Sequence, residues 1–129
     1  DHRDLHSFPT RRSSDLDGLI LRGRTQAKLG APLKAADDFD TALPKLRRLT
    51  PEHYIERAQI LVSGDKKFRA RALAGIAEGI EKLGDLHTLH RHAAQLEIAA
   101  GQPEAALRRV SQLVAKFDGH LRWRILEAE

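Results

Sequence analysis

The densest group of chemistry-bearing side chains is the run Asp85-Leu86-His87-Thr88-Leu89-His90-Arg91-His92. Imidazoles at this density are what zinc sites are built from, but zinc needs three or four donors converging on one point. On a helix His87 and His90 share a face while His92 points elsewhere. Arg91 on the same turn repels a cation, and the i,i+4 His pair of helical zinc motifs is missing. The run reads as solvated or partly buried helix histidines, and no metal is expected. A second run, Asp37-Asp38-Phe39-Asp40, offers three carboxylates. They cannot all face one way on a helix, and Phe39 asks for burial. The expectation is a solvated face balancing Lys34, Lys45, Arg47 and Arg48 through i,i+4-type pairs. General acid–base work needs paired carboxylates in a desolvated cleft, and the pattern offers none.

Other chemistries drop out by inventory. The chain has no Cys, which excludes a disulfide framework, a thiolate metal site and a Cys nucleophile. The glycines form neither a GxGxxG nor a GxxxxGK[ST] phosphate loop and read instead as helix stops. Beyond residue 16 the only serines are Ser63 and Ser111, and neither sits in an elbow motif. No cofactor and no catalysis are expected.

Residues 1–16, DHRDLHSFPTRRSSDL, differ from all that follows. They are polar, lack helical periodicity, and their three Arg cancel three Asp. Such a segment reads as a coil that cannot bury enough surface to order itself. The string resembles, residue by residue, the translation of a short-read sequencing-adapter oligonucleotide. The expectation is a non-native or disordered segment, so His2, His6 and Ser13 carry no weight as a triad. The chain starts with Asp1, has no Met, and ends in uncapped helix-friendly residues, so a fragment of a longer protein is expected. Zero Asn with abundant Ala, Arg and Gly points to a GC-rich source, in keeping with a bacterial, metagenomic origin.

The remaining residues, 17–129, keep the net charge of +4. They are rich in Ala and Leu, both helix formers, and show no strand-like alternation. Punctuation places about seven helices. The first spans about 18–29 and stops at Gly30; the second opens at Pro32 and runs to about 49. Thr50-Pro51-Glu52 is a capping hydroxyl, a first-turn proline and an acid at the positive end of the dipole, opening a third helix to about 62. A fourth spans about 66–83 and ends at Gly84. Asp85 caps a fifth, which reaches 100. Gln102-Pro103-Glu104 opens a sixth to about 117, and Asp118-Gly119 separates a seventh. Short connections make neighbours antiparallel. The stop glycines Gly30, Gly64 and Gly101 lie 34 and 37 residues apart, and Ala35, Ala72 and Ala106 lie 37 and 34 apart. A two-helix period near this length predicts an all-α antiparallel helical-hairpin solenoid.

These residues resemble the tetratricopeptide repeat family over 17–129. In the first unit, about 17–50, Gly23, Leu29-Gly30, Ala35, Phe39 and Ala42 match its small, turn, small, aromatic and small positions. In the second, about 51–84, Tyr54, Ala58, Leu61, Ala72, Ile76 and Gly79 match, after an insertion near Lys66-Lys67. The third, about 85–118, offers Ala94, Gly101, Ala106 and Val110, with Leu113 replacing the last small residue. Trp123 would open a partial fourth, 119–129. The resemblance implies close packing at Gly23 and Ala35 and a concave groove lined by the first helix of each unit. That groove would present Ile20, Leu21, Arg24, Ala27 and Lys28; Ile55, Glu56, Gln59 and Val62; Arg91, His92, Gln95 and Ile98; and Arg124 and Ile125. Of these, Arg24, Lys28, Gln59, Arg91, His92, Gln95 and Arg124 form the candidate peptide site. The carboxylate clamp of some family members is not matched, because Ile20, Arg24, Glu56, Thr88 and His92 stand at its positions.

The expected function is therefore a protein-interaction or scaffolding module. It would hold an acidic protein or peptide segment in a mixed apolar and basic groove. The alternatives are a nucleic-acid-binding helical repeat and a non-catalytic repeat domain of a larger enzyme or regulator. Interspersed acids, a charge of only +4 and few aromatics weigh against nucleic acid. No run reaches the roughly 18 apolar residues of a membrane span. Cytoplasm is the default location.

Overall fold

The computed structural model describes the backbone of residues 9–128 and the side chains of residues 15–117. The protein is all-α: α1 Pro9–Lys28, α2 Pro32–Ala42, α3 Pro51–Gly64, α4 Arg69–Leu83, α5 His87–Ala99 and α6 Pro103–Ala128. Short 3-10 turns follow α2 at Leu43–Lys45 and precede α4 at Lys66–Phe68. Helices pack as antiparallel hairpins, α1 with α2, α3 with α4 and α5 with α6. The hairpins stack in chain order through α2 on α3 and α4 on α5.

The hairpin turns follow from local chemistry. Gly30 takes φ +83°, and the amides of Gly30 and Ala31 donate back to the carbonyls of Ala27 and Gln26. Gly101, at φ +79°, repeats the arrangement with Ile98 and Glu97. A left-handed residue there satisfies the last carbonyls of the helix, and glycine adopts it without a Cβ clash. Prolines 32, 51 and 103 stand at the first positions of α2, α3 and α6, where a missing N–H costs nothing.

The helix boundaries depart from expectation in five places. Among the described residues there are six α-helices, not seven, because α6 continues through Asp118-Gly119 and takes in the expected fourth-unit segment. One glycine costs a helix only about 1 kcal/mol, too little to break it without a following proline. At the other end α1 begins at Pro9, so the expected boundary at residue 17 falls inside a helix, and Leu16 joins the core. The expectation for residues 1–8 lies outside the described residues. The second helix stops at Ala42 instead of 49, since Pro44 can neither donate to the Asp40 carbonyl nor pack against it. Thr50 flanks α3 but its hydroxyl contacts His53 Nδ1 at 3.0 Å instead of capping. Asp85 does not cap α5 either; Leu86 precedes that helix, and the Asp85 carboxylate is engaged by His90 and Lys116.

Small residues set the helix separations. A Cβ on Gly23 would stand 2.9 Å from the Phe39 ring and 3.1 Å from the Ala35 carbonyl, so only glycine lets α1 lie this close to α2. Gly79 plays the same part beneath Tyr54, joining α4 to α3. Between hairpins, Gly64 meets the Pro32 ring so closely that a Cβ would collide with it. Phe39, Leu43, Tyr54, Leu61, Ile76 and Leu89 are the largest side chains fully enclosed by this packing. Among the described residues no helix is long and apolar enough to cross a membrane.

Candidate functional site

Three clefts lie in sequence, two between the first helices of successive hairpins and one between the two helices of the third hairpin. The first, about 430 Å³, lies between α1 and α3 and is walled by Lys28, Glu56, Gln59 and Ser63. The second, about 290 Å³, lies between α3 and α5, with Gln59 and Ser63 on one wall and His92 and Gln95 on the other. Because Gln59 and Ser63 belong to both, the two form one trough from Lys28 to Gln95. Val62 and Leu96 give it an apolar floor. The third cleft, about 410 Å³, lies between α5 and α6, shares Gln95, and contains Arg91.

The structure thus brings Lys28, Gln59, His92 and Gln95 together and sets Arg91 on the outer face of the last hairpin. Arg124 lies outside the residues whose side chains are described. Arg24 is spent on structure. Its Nε and Nη2 donate to Glu56 at 2.7 and 3.0 Å, a forked pair that ties α1 to α3 and raises the Arg24 pKa further. Ile20 and Ile55, expected in the groove, are core residues at 8% exposure or less. Burial, helped by the charge of Arg91, lowers the His92 pKa, so this imidazole is neutral near pH 7. The trough is therefore an amide-rich channel with one cation, Lys28, at its α1 end. Lys28 has no acidic partner among the described residues.

In the acidic run of α2, Asp37 and Asp40 are solvent-exposed as expected and Asp38 is buried, but the partners are not Lys34, Lys45, Arg47 and Arg48. Each of its acids takes an arginine from another helix. Arg22 of α1 forks onto Asp38 at 2.9 and 2.8 Å. That guanidinium holds the Asp38 carboxyl below the usual range. Arg71 of α4 reaches both Asp37 and Asp40 at 2.9 and 2.8 Å. Arg57 of α3, with its side chain 5% exposed, donates to Asp40 and Glu78 at 2.8 Å each and to the Gly75 carbonyl at 3.2 Å. Gly75 admits that guanidinium, since a Cβ there would lie 3.0 Å from it. Sequence reasoning missed this seam because its partners stand 16 to 34 residues apart. The available signal was that Arg71 follows Asp37 by about one repeat period.

The histidine run is similarly structural. Arg109 forks onto Glu97 at 2.9 and 3.0 Å and directs an N–H at His90 Nδ1, 3.2 Å away. Nδ1 therefore accepts, and Nε2–H donates to Asp85 at 2.9 Å. Lys116 closes the network on Asp85, and it is the main cause of that carboxyl's lowered pKa. His87 stands edge-on to the Phe117 ring at 4.3 Å. Among the described residues no three side chains converge as metal donors. Comparison with protein-family models, with curated proteins and with solved structures found no match.

Proposed function

We propose that this chain is a tetratricopeptide-like interaction module without catalysis of its own, holding an extended, acid-bearing peptide in the trough across α1, α3 and α5. The observation that carries the reading is the continuity of the two clefts through Gln59 and Ser63. Gln59 and Gln95 each offer a donor and an acceptor, which suits the repeating N–H and C=O groups of an extended backbone. Lys28 gives a peptide carboxylate a partner at one end and so sets direction more than affinity. A cytoplasmic setting belongs to the same reading.

The test is binding of acidic and basic peptide pools to the chain and to two variants. Gln59→Leu should weaken an acidic peptide about tenfold, the scale of a lost hydrogen bond to the ligand. Lys28→Glu should remove the preference for acid over base. Binding indifferent to both variants would overturn the proposal. So would strong binding of single-stranded nucleic acid with a steep salt dependence.

A further inference from the structure

Aligned on Ala35, Ala72 and Ala106, the second helices of the three hairpins place Phe39, Ile76 and Val110 four residues on, and Leu43, Ile80 and Val114 eight residues on. Phe39, Ile76 and Leu43 are fully buried, and Ile80 packs against the core. Val110 and Val114 are 41% and 52% exposed. The cause is the neighbour. α3 lies over the first hairpin and α5 over the second, and α5 does so with Leu89, Ala93 and Leu96. The third hairpin has no covering helix among the described residues. α6 runs straight through Gly119, so it does not turn back over its own face. The uncovered face extends to Ile98 at 58% exposure and encloses the mostly apolar third cleft.

One position on this face departs from its equivalents. Three residues before the small residues Gly23, Ala58 and Ala94 stand Ile20, Ile55 and Arg91. Where the first two hairpins turn an isoleucine into the core, the third holds an arginine with no acidic partner among the described residues. Covering that guanidinium with an apolar helix alone would strand a charge, which is strongly unfavourable.

We infer that the α5–α6 face docks an amphipathic α-helix of a partner protein, laid as α5 lies on α3 and α4, with a carboxylate opposite Arg91. The helix presents an apolar stripe at the i, i+4, i+7 spacing of Leu89, Ala93 and Leu96, and its acid pairs with Arg91. A second copy of this chain is the poorer complement, since it carries a net charge of +4 and presents the same basic edge.

The test uses the full chain and two synthetic helical peptides with the α5 stripe, one with Glu and one with Lys where Arg91 is met. Fluorescence anisotropy should show the Glu peptide binding at least tenfold tighter. Val110→Asp with Val114→Asp should abolish binding while helix content and Tm stay at wild-type values, both positions being exposed. Arg91→Glu should invert the preference between peptides. Equal binding of both peptides, or binding that survives the double substitution, overturns the proposal. So does a dimer in sedimentation that the same double substitution dissociates, which would make a second copy the occupant. Acidic-peptide binding in the trough should survive the double substitution, so failure of one surface is separable from failure of the other.

Discussion

Phe39 and Val110 hold the same place in the first and third hairpins and meet opposite surroundings. Phe39 is enclosed between Gly23 of α1 and the hairpin that follows; Val110 looks into an open cleft beside Arg91. The two second helices differ less in pattern than in what lies against them. The joint between the first two hairpins is filled by Phe39, Leu43 and Tyr54 and rimmed by the arginine–aspartate seam. The last face carries the matching apolar positions, Val110 and Val114, exposed among the described residues. In a stacked array, burial belongs to the interface and not to the hairpin, which is why one hairpin cannot be stable alone.

The largest test of this contrast is truncation at the two equivalent positions. Phe39→Ala should cost about 3–5 kcal/mol as an unfilled core cavity. Val110→Ala, half in water, should cost less than about 1 kcal/mol, as surface substitutions do. Urea unfolding with unchanged m-values measures both, and equal losses would break the comparison.

The seam comes next. Arg57→Met removes the buried end of two ion pairs. Breaking a buried pair costs about 3–5 kcal/mol, but the Asp40 and Glu78 side chains are 44% and 41% exposed, so about 2 kcal/mol is expected. A thermally neutral variant would show that apolar packing alone holds the joint.

Two glycine substitutions give effects of opposite sign. A Cβ on Gly79 would lie 2.9 Å from Tyr54 Cγ, near the base of a buried side chain, so Gly79→Ala should destabilise by about 1–3 kcal/mol. Gly18 in α1 has nothing within 4 Å of the same atom, so Gly18→Ala should stabilise by about 0.5–1 kcal/mol through helix propensity. Differential scanning calorimetry of the two variants reads the signs directly.

The smallest effect is electrostatic. Arg22 lowers the folded pKa of Asp38 below its unfolded value, so protonation opposes folding. Its contribution is complete above the unfolded value, about pH 4, and fades as pH falls through the lower folded value. The stability gap between wild type and Arg22→Gln should therefore be widest near neutrality and close below about pH 4. A gap independent of pH would assign the effect of Arg22 to packing.

Local chemistry identified the all-α class, the stop glycines Gly30 and Gly101 and the starting prolines, and the resemblance to a two-helix repeat supplied the small positions Gly23, Ala35 and Ala72. The stops and starts follow from a left-handed turn or a missing N–H, readable within a few residues, whereas the two-helix period needs spacings of 34 and 37 residues. Pro44 was equally readable as a stop for α2, and the long second helix overlooked it. What no local rule supplied was partnership. Asp37, Asp38 and Asp40 find Arg22, Arg57 and Arg71 only after four helices pack at a particular register. Arg24 leaves the groove for Glu56 for the same reason, and Ile20 and Ile55 turn inward because the next hairpin covers them. Helix ends are decided by bonds across four or five residues. Charge pairing and burial are decided by which surfaces the stacked hairpins bring within a few ångströms, and only the tertiary structure contains that distance.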